Sequence, residues 1–145
     1  MGLDMYLVKQ TYIWIDDRAG LHISGKGTEH IKPERVKRIE EEVGYWRKAN
    51  AIHRWFVTNV QECEDNCATY HVSTEHLETL LGLVNAVLAD HSKAPELLPT
   101  QSGFFFGDTD YDEWYFKDLE HTKAILEEAL ADDNGVSDYS YYSSW

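Results

Sequence analysis

Residues 3–15 follow an alternating pattern in which β-branched and aromatic residues dominate. The apolar positions on one side of this pattern are mostly aromatic: Tyr6, Val8, Tyr12 and Trp14. A period of two over residues 3–15 is typical of a half-buried strand. Short strands over 21–24 and 28–31 are expected after a turn rich in Asp and Gly. The pattern predicts an N-terminal hairpin or small meander.

Farther along the chain, apolar residues recur every three or four positions, as they do on one face of a helix. The clearest such stripe, over 45–60, consists of Tyr45, Ala49, Ile52, Phe56 and Val60. Further helices are expected over 33–43, over 74–90 with Ser73 as its cap, and over 112–130. We therefore expect an α+β protein, in which a small N-terminal antiparallel sheet packs against three to four α-helices.

The composition changes near the end of the chain. Residues 1–131 are interpreted as a single α+β domain, and 132–145 as an acidic C-terminal tail with four aromatic residues among its last seven. A polar terminus of this kind is often frayed, whereas the aromatic side chains favour docking onto this domain or onto a neighbouring subunit. A homo-oligomer is therefore one of the expected arrangements.

The charge balance makes some partners improbable. The 26 Asp and Glu residues outnumber the 13 Lys and Arg residues, which gives a formal net charge of −13. Such a chain repels DNA, RNA and anionic membranes, so no direct nucleic-acid partner is expected. The acids form either a solvated surface or a face directed at a basic partner. The sequence has no apolar run of ~20 residues and no signal-peptide pattern, which predicts a cytoplasmic protein without membrane association.

Basic residues are scarce, and several lie in the helix predicted over 45–60. Arg47 and Arg54 are seven residues apart, so on a helix they share a face, with Asn50 between them. Two guanidinium groups and an amide can hold a phosphate or carboxylate by bidentate hydrogen bonds. The alternative is that the cations pair with the acids at 40–42. A second group of cations lies upstream: Lys32, Arg35, Lys37 and Arg38.

Two further elements complete the predicted pocket. Trp46 and His53 border the apolar stripe, where an aromatic ring can stack on a base. The segment 101–107 supplies Gln101 and Ser102, and its glycines allow a backbone to approach a ligand. This segment is expected to be a buried strand or a tight loop.

No metal, cofactor or catalytic residue is assigned from the sequence. Cys63 and Cys67 are expected to be reduced thiols in a polar loop, because two or three ligands do not close a structural zinc site. The acids from Asp108 to Glu113 resemble part of a calcium loop but lack its glycine and its distal Glu. Charge complementation at a helix N-terminus explains them more simply.

Three blocks of the sequence are distinctive: the opening Met-Gly-Leu-Asp-Met-Tyr-Leu, Tyr-Trp-Arg-Lys-Ala-Asn-Ala-Ile-His at 45–53, and Leu-Pro-Thr-Gln-Ser-Gly-Phe-Phe-Phe-Gly at 98–107. With these blocks the chain resembles a family of small uncharacterised proteins encoded by phages and prophages. The resemblance brings no established activity, so it assigns no catalytic residue. It implies a phage context inside a host bacterial cell, where small accessory proteins often counter host defence.

Three functions follow from these observations. The first is a binder that sequesters a small anionic, nucleotide-like ligand such as a host immune signal. The residues expected to line its pocket are Trp46, Arg47, Asn50, His53, Arg54, Gln101 and Ser102. The second is an acidic inhibitor that binds a host nucleic-acid-binding or defence protein. The third, an enzyme, is the least favoured: a small hydrolase with His53 or an Asp/Glu pair as the base.

Overall fold

The computed structural model describes residues 2–145 and confirms the α+β class. Four strands form one antiparallel sheet: β1 (Asp4–Tyr12), β2 (Arg38–Arg47), β3 (Tyr70–Val72) and β4 (Ser137–Ser144). Four α-helices accompany it: α1 (Asn50–Asn59), α2 (Thr74–Ala89), α3 (Ala94–Leu97) and α4 (Glu113–Ala131). The strand order is β2-β1-β4-β3. The sheet therefore contains strands from both ends of the chain, whereas the sequence predicted a sheet built from the N-terminal part alone.

The C-terminal segment is an inner strand of this sheet and not a frayed tail. β4 lies between β1 and β3. The ring of Tyr141 stacks on Phe56 with centroids 4.0 Å apart, and the hydroxyl of Tyr139 donates to the carbonyl oxygen of Ala129 at 2.9 Å. The terminal aromatics thus dock onto this domain, which is one of the two arrangements expected. A homo-oligomer stays a prediction.

The helix predicted over 33–43 and the first residues of the one predicted over 45–60 were placed wrongly. Residues 33–35 form a single 3₁₀ turn, and β2 follows from Arg38 to Arg47. Three consecutive glutamates in β2 favour a helix by intrinsic propensity. They lie in a strand because β2 pairs along its whole length with β1. Long-range backbone pairing outweighs local propensity here.

Gly44 explains how α4 packs against β2. It is buried within the strand, and a Cβ added to it would lie 2.7 Å from Cγ2 of Ile125 and 3.3 Å from Cβ of Leu7. The absence of a side chain lets the helix approach the sheet closely. The register shifts beside Gly44, where β2 carries one residue more than β1. A bulge of this kind bends the strand locally.

Two helices, α2 and α4, lie where the sequence predicts them, whereas the short α3 was not predicted. Ser73 caps α2 by accepting a hydrogen bond from the amide of His76 at 3.1 Å, and the His76 ring accepts from the Ser73 amide at 3.2 Å. Asp112 caps α4. Within residues 2–145, no helix combines the length and apolarity required to cross a membrane.

The core lies between the helices and one face of the sheet. It contains side chains from β1, β2 and β4 together with the buried faces of α1, α2 and α4, including Leu3, Met5, Leu7, Trp46, Phe56, Leu80, Leu119 and Tyr141. The other face carries a row of partly exposed rings, in which Tyr6 lies 5.4 Å from Tyr45 and 4.7 Å from Tyr142, measured between centroids. One layer of helices therefore covers one face of the sheet.

The connection between β1 and β2 is long and irregular. The short strands predicted over 21–24 and 28–31 are wrong, since residues 13–37 contain only turns and two 3₁₀ turns. The connection is anchored by the Ile13 amide, which donates to the Lys37 carbonyl oxygen at 3.0 Å. Connections of this length inside a small domain are often functional.

Candidate functional site

The end of β2 and the start of α1 meet in an unusual turn. Lys48 has a φ of 56°, in the left-handed region that side-chain-bearing residues rarely adopt. Ala49 precedes α1 and provides no side-chain cap. The amides of Ala51 and Ile52 have no hydrogen-bond partner among the described residues. The first turn of α1 therefore presents free N–H groups, which attract anions.

Asn50 joins this turn to the loop over 101–108. The residue is 4% exposed. Its Nδ2 donates to the carbonyl oxygens of Phe106 at 3.0 Å and Asp108 at 2.8 Å, and its Oδ1 accepts from the amide of Gln101 at 2.9 Å. Both donors and the acceptor are thus used by the loop. Asn50 builds the wall of the site and is not available to a ligand.

A cleft of about 270 Å³ lies between this turn and α4. Residues 47–52 contribute the cations Arg47 and Lys48 together with the first turn of α1. Residues 107–119 contribute four carboxylates, from Asp108, Asp110, Asp112 and Asp118. Gly107, with a φ of 84°, packs against Lys48, because an added Cβ would lie 3.2 Å from Cβ of that lysine. The cleft therefore has a cationic side and an acidic side.

Two of the four carboxylates are already engaged. Asp112 Oδ1 accepts from the amides of Trp114 and Tyr115, both at 3.1 Å, which is the helix-end role expected from the sequence. Asp108 Oδ1 accepts from the Asp110 amide at 3.0 Å. Within residues 2–145, the carboxylates of Asp110 and Asp118 make no hydrogen bond or ion pair. These two are available to a cationic group.

Asp118 is the most perturbed of these acids. Burial raises its pKa to about 6, with a further increase from Asp112 and an opposing decrease from His121. Near pH 7 the side chain is therefore mostly ionised, half-buried and without a counter-ion. A cation placed beside it would relieve this cost and would lower the pKa.

The rim of the cleft carries an exposed indole. Trp114 is 65% exposed, and the ammonium of Lys117 lies 4.4 Å from the centroid of its ring. This geometry is that of a cation–π contact. The exposed indole at the rim therefore already has a cation over its ring.

His53 lies in the core and not in the cleft. Its ring is buried, with Nδ1 2.6 Å from the Tyr141 hydroxyl and Nε2 3.0 Å from Asp65 Oδ2. Burial lowers the pKa of His53, and the nearby Asp65 carboxylate opposes that effect. The neutral ring therefore carries its proton on Nε2 and accepts from Tyr141. The indole of Trp145 donates to the other oxygen of Asp65 at 3.0 Å, so the network ties down the chain end.

The structure separates the other residues that were predicted to line one pocket. Trp46 is a core residue, 2% exposed, whose Nε1 donates to Thr122 at 2.8 Å. Because Arg47 belongs to β2, Arg47 and Arg54 do not share a helix face, and Arg54 donates instead to the Thr100 carbonyl oxygen at 3.1 Å. Gln101 Nε2 donates to its neighbour Ser102, which is exposed. Only Arg47 and Asn50 of the predicted set line the cleft.

Arg47 does not pair with the acids at 40–42. Its Nη1 donates to Asp4 Oδ1 at 3.2 Å, and its side chain remains 53% exposed. The guanidinium therefore retains free donors.

Sequence reasoning missed the acidic side of the cleft and Lys48. The acids of 108–113 were assigned only to a helix end, and Asp118 was one polar position among many in α4. Cys63 and Cys67 are free and exposed. Within residues 2–145 no three His, Cys, Asp or Glu side chains are grouped as a metal site requires.

No family model, curated protein or solved structure matches this chain. The resemblance to phage-encoded proteins therefore stays a prediction.

Proposed function

We propose that the protein binds a small molecule carrying both an anionic and a cationic group, held in the cleft between α1 and α4. The observation that carries this proposal is the division of charge between the two sides of the cleft. Lys48, Arg47 and the free amides of α1 provide the donors for a carboxylate or phosphate. Asp110 and Asp118 provide acceptors for an ammonium.

The size of the cleft limits the ligand. Its volume of about 270 Å³ is at or below the lower end of the range of about 300–1,000 Å³ that is common for ligand pockets. A molecule of amino-acid size fits this space better than a dinucleotide. The four carboxylates also repel a polyphosphate, so the nucleotide-like ligand expected from the sequence becomes the less favoured alternative.

Calorimetric titration with two matched sets of compounds tests this function. The first set contains small amphoteric molecules, such as amino acids and amino-sugar phosphates. The second set contains their analogues that lack the amine or the anion, together with mononucleotides. We expect an amphoteric compound to bind, and each analogue to bind at least about tenfold more weakly, since a desolvated charge pair contributes more than about 1.4 kcal/mol.

Two substitutions test the cationic side and the acidic side of the cleft separately. Lys48→Asn removes a charge and introduces a residue type that tolerates the positive φ at this position, and Asp118→Asn removes the unpaired carboxylate with little change of shape. Lys93→Asn, on an exposed residue outside the cleft, is the matched control. We expect both cleft variants, and not the control, to lose affinity. Mononucleotide binding that is unchanged or tighter in Asp118→Asn would instead support the anionic-ligand alternative.

A further inference from the structure

The basic residues of this acidic chain are concentrated in one region. Residues 12–39 contain six of the 13 Lys and Arg residues but only four of the 26 Asp and Glu residues. This region therefore has a formal charge of +2, and the rest of the chain has −15. It comprises the irregular connection between β1 and β2 and the strand ends beside it. We call residues 12–39 the basic connection.

The cations of the basic connection are not neutralised within the molecule. Arg35, Lys37 and Arg38 are exposed and line a groove of about 540 Å³. None of them has a carboxylate within 4.0 Å among the described residues, although the sequence suggested pairing with the glutamates at 40–42. The side chain of Arg35 makes only a long hydrogen bond, 3.4 Å, to the carbonyl oxygen of His30. Their charges therefore face solvent.

The same region exposes large apolar side chains. Trp14 and Ile15 are 70% and 72% exposed at the tip of a turn closed by the bond from the Asp17 amide to the Trp14 carbonyl oxygen. Tyr12 and Ile31, each close to 40% exposed, line the groove itself. Exposed apolar side chains bordered by unpaired charges are characteristic of interaction surfaces.

We infer that the basic connection is a docking surface for an acidic protein segment that carries bulky apolar side chains. The exposed cations would pair with the carboxylates of that segment, and the groove would receive its apolar side chains. This inference does not depend on the small-molecule cleft, which lies at the other end of β2.

Charges near the groove disfavour the other occupants. A nucleic acid extending past Arg38 would meet the glutamates at 40–42 and the net charge of −15 on the rest of the chain. An anionic membrane would meet Asp16 and Asp17 directly after Trp14 and Ile15. A second copy pairing through the free edge of β2 would bring the two glutamate runs together. A short acidic segment whose carboxylates face Arg35, Lys37 and Arg38 avoids all three conflicts.

Fluorescence anisotropy on the full chain tests this inference. The probes are labelled short peptides that combine Asp or Glu with Leu or Phe at several spacings. The comparison peptides replace the apolar residues by Ser or the acids by Asn and Gln. We expect at least one acidic, apolar peptide to bind at low salt, to bind more weakly as salt rises, and to bind better than both comparison peptides.

Two variants place the binding on this surface. Arg35→Glu with Lys37→Glu should lower the affinity for the peptide by at least about tenfold. Trp14→Ser should also lower this affinity, because it removes an apolar contact. Lys93→Glu with Lys123→Glu makes the same change in net charge elsewhere and should have little effect. Thermal melts should show all variants folded, because the substituted side chains are exposed or, for Lys123, half-exposed in a surface ion pair with Glu127.

Four outcomes overturn the inference. One is that no peptide binds, and another is that the control variant loses as much affinity as the variant of the basic connection. The third is that a labelled oligonucleotide or an anionic vesicle binds more tightly than every peptide. The last is a dimer, seen by sedimentation, that Arg35→Glu with Lys37→Glu dissociates.

Discussion

We expect the shape of the cleft to depend most on Asn50, whose side-chain amide holds the loop over 101–108 against the start of α1. Asn50→Ala removes three hydrogen bonds, two to the Phe106 and Asp108 carbonyl oxygens and one from the Gln101 amide. At about 1 kcal/mol net for each bond, we expect the free energy of unfolding to fall by about 3 kcal/mol. Backbone groups left without partners would increase this loss.

Asn50→Asp makes the prediction specific. It keeps the acceptor for the Gln101 amide but places a carboxylate against two carbonyl oxygens. At neutral pH this variant should be at least as destabilised as Asn50→Ala. As the pH falls, protonation of the new carboxyl restores one donor, so the difference from the wild type should shrink.

Urea denaturation at several pH values measures these differences, and amide hydrogen exchange gives a local readout. The Gln101 amide should lose protection in Asn50→Ala and retain it in the folded fraction of Asn50→Asp. An Asn50→Asp variant that is clearly more stable than Asn50→Ala at neutral pH would contradict these roles of Asn50. Equal exchange of the Gln101 amide in the two variants would also contradict them.

Two other predictions concern neighbouring parts of the site. Gly44→Ala should destabilise the protein by about 1–3 kcal/mol through overpacking. Adding Ile125→Ala to this variant removes the methyl that the new Cβ would meet, so in a double-mutant cycle the two substitutions together should cost less than the sum of their separate effects. If the two effects on stability simply add, residues 44 and 125 are not in contact. Burial raises the pKa of Asp118 to about 6, so the stability of the wild-type protein falls as the pH rises from about 4 to 6. Asp118→Asn removes this loss and should therefore stabilise the unliganded protein near pH 7. After allowance for partial exposure we expect a gain of about 1 kcal/mol. The gain should vanish below about pH 4 in thermal melts, and a gain that does not vary with pH would refute the assignment.

The elements that the sequence predicts well are those whose signals are local. β1 has an alternating pattern, and α2 and α4 combine an apolar stripe with a capping residue, Ser73 or Asp112. β2 was missed because its glutamates favour a helix and its pairing partner lies far away in sequence. β4 was missed because its inward residues are tyrosines and serines, although Tyr139, Tyr141 and Ser143 do alternate.

The candidate site was predictable only in part for the same reason. Arg47 and Asn50 were identified because they lie three residues apart and because basic residues such as Arg47 are scarce in this chain. His53 was misassigned because nothing local shows that Tyr141 and Asp65 bury it. The cleft itself requires residues 47–52 to meet 107–119, and no local pattern indicates a contact between segments so far apart in the chain.

The two proposed surfaces lie at opposite ends of β2. The strand runs from Arg38, beside the groove, to Arg47, in the cleft, and spans ten residues, or about 30 Å at roughly 3.3 Å per residue. Coupling over that distance needs an element with two stable arrangements. The bulge beside Gly44 is the one irregularity in the β1–β2 pairing, and it is held between Leu7 and Ile125. The close packing around the bulge favours one arrangement. The small molecule and the acidic peptide should therefore bind independently, and saturating the protein with one should not change its affinity for the other.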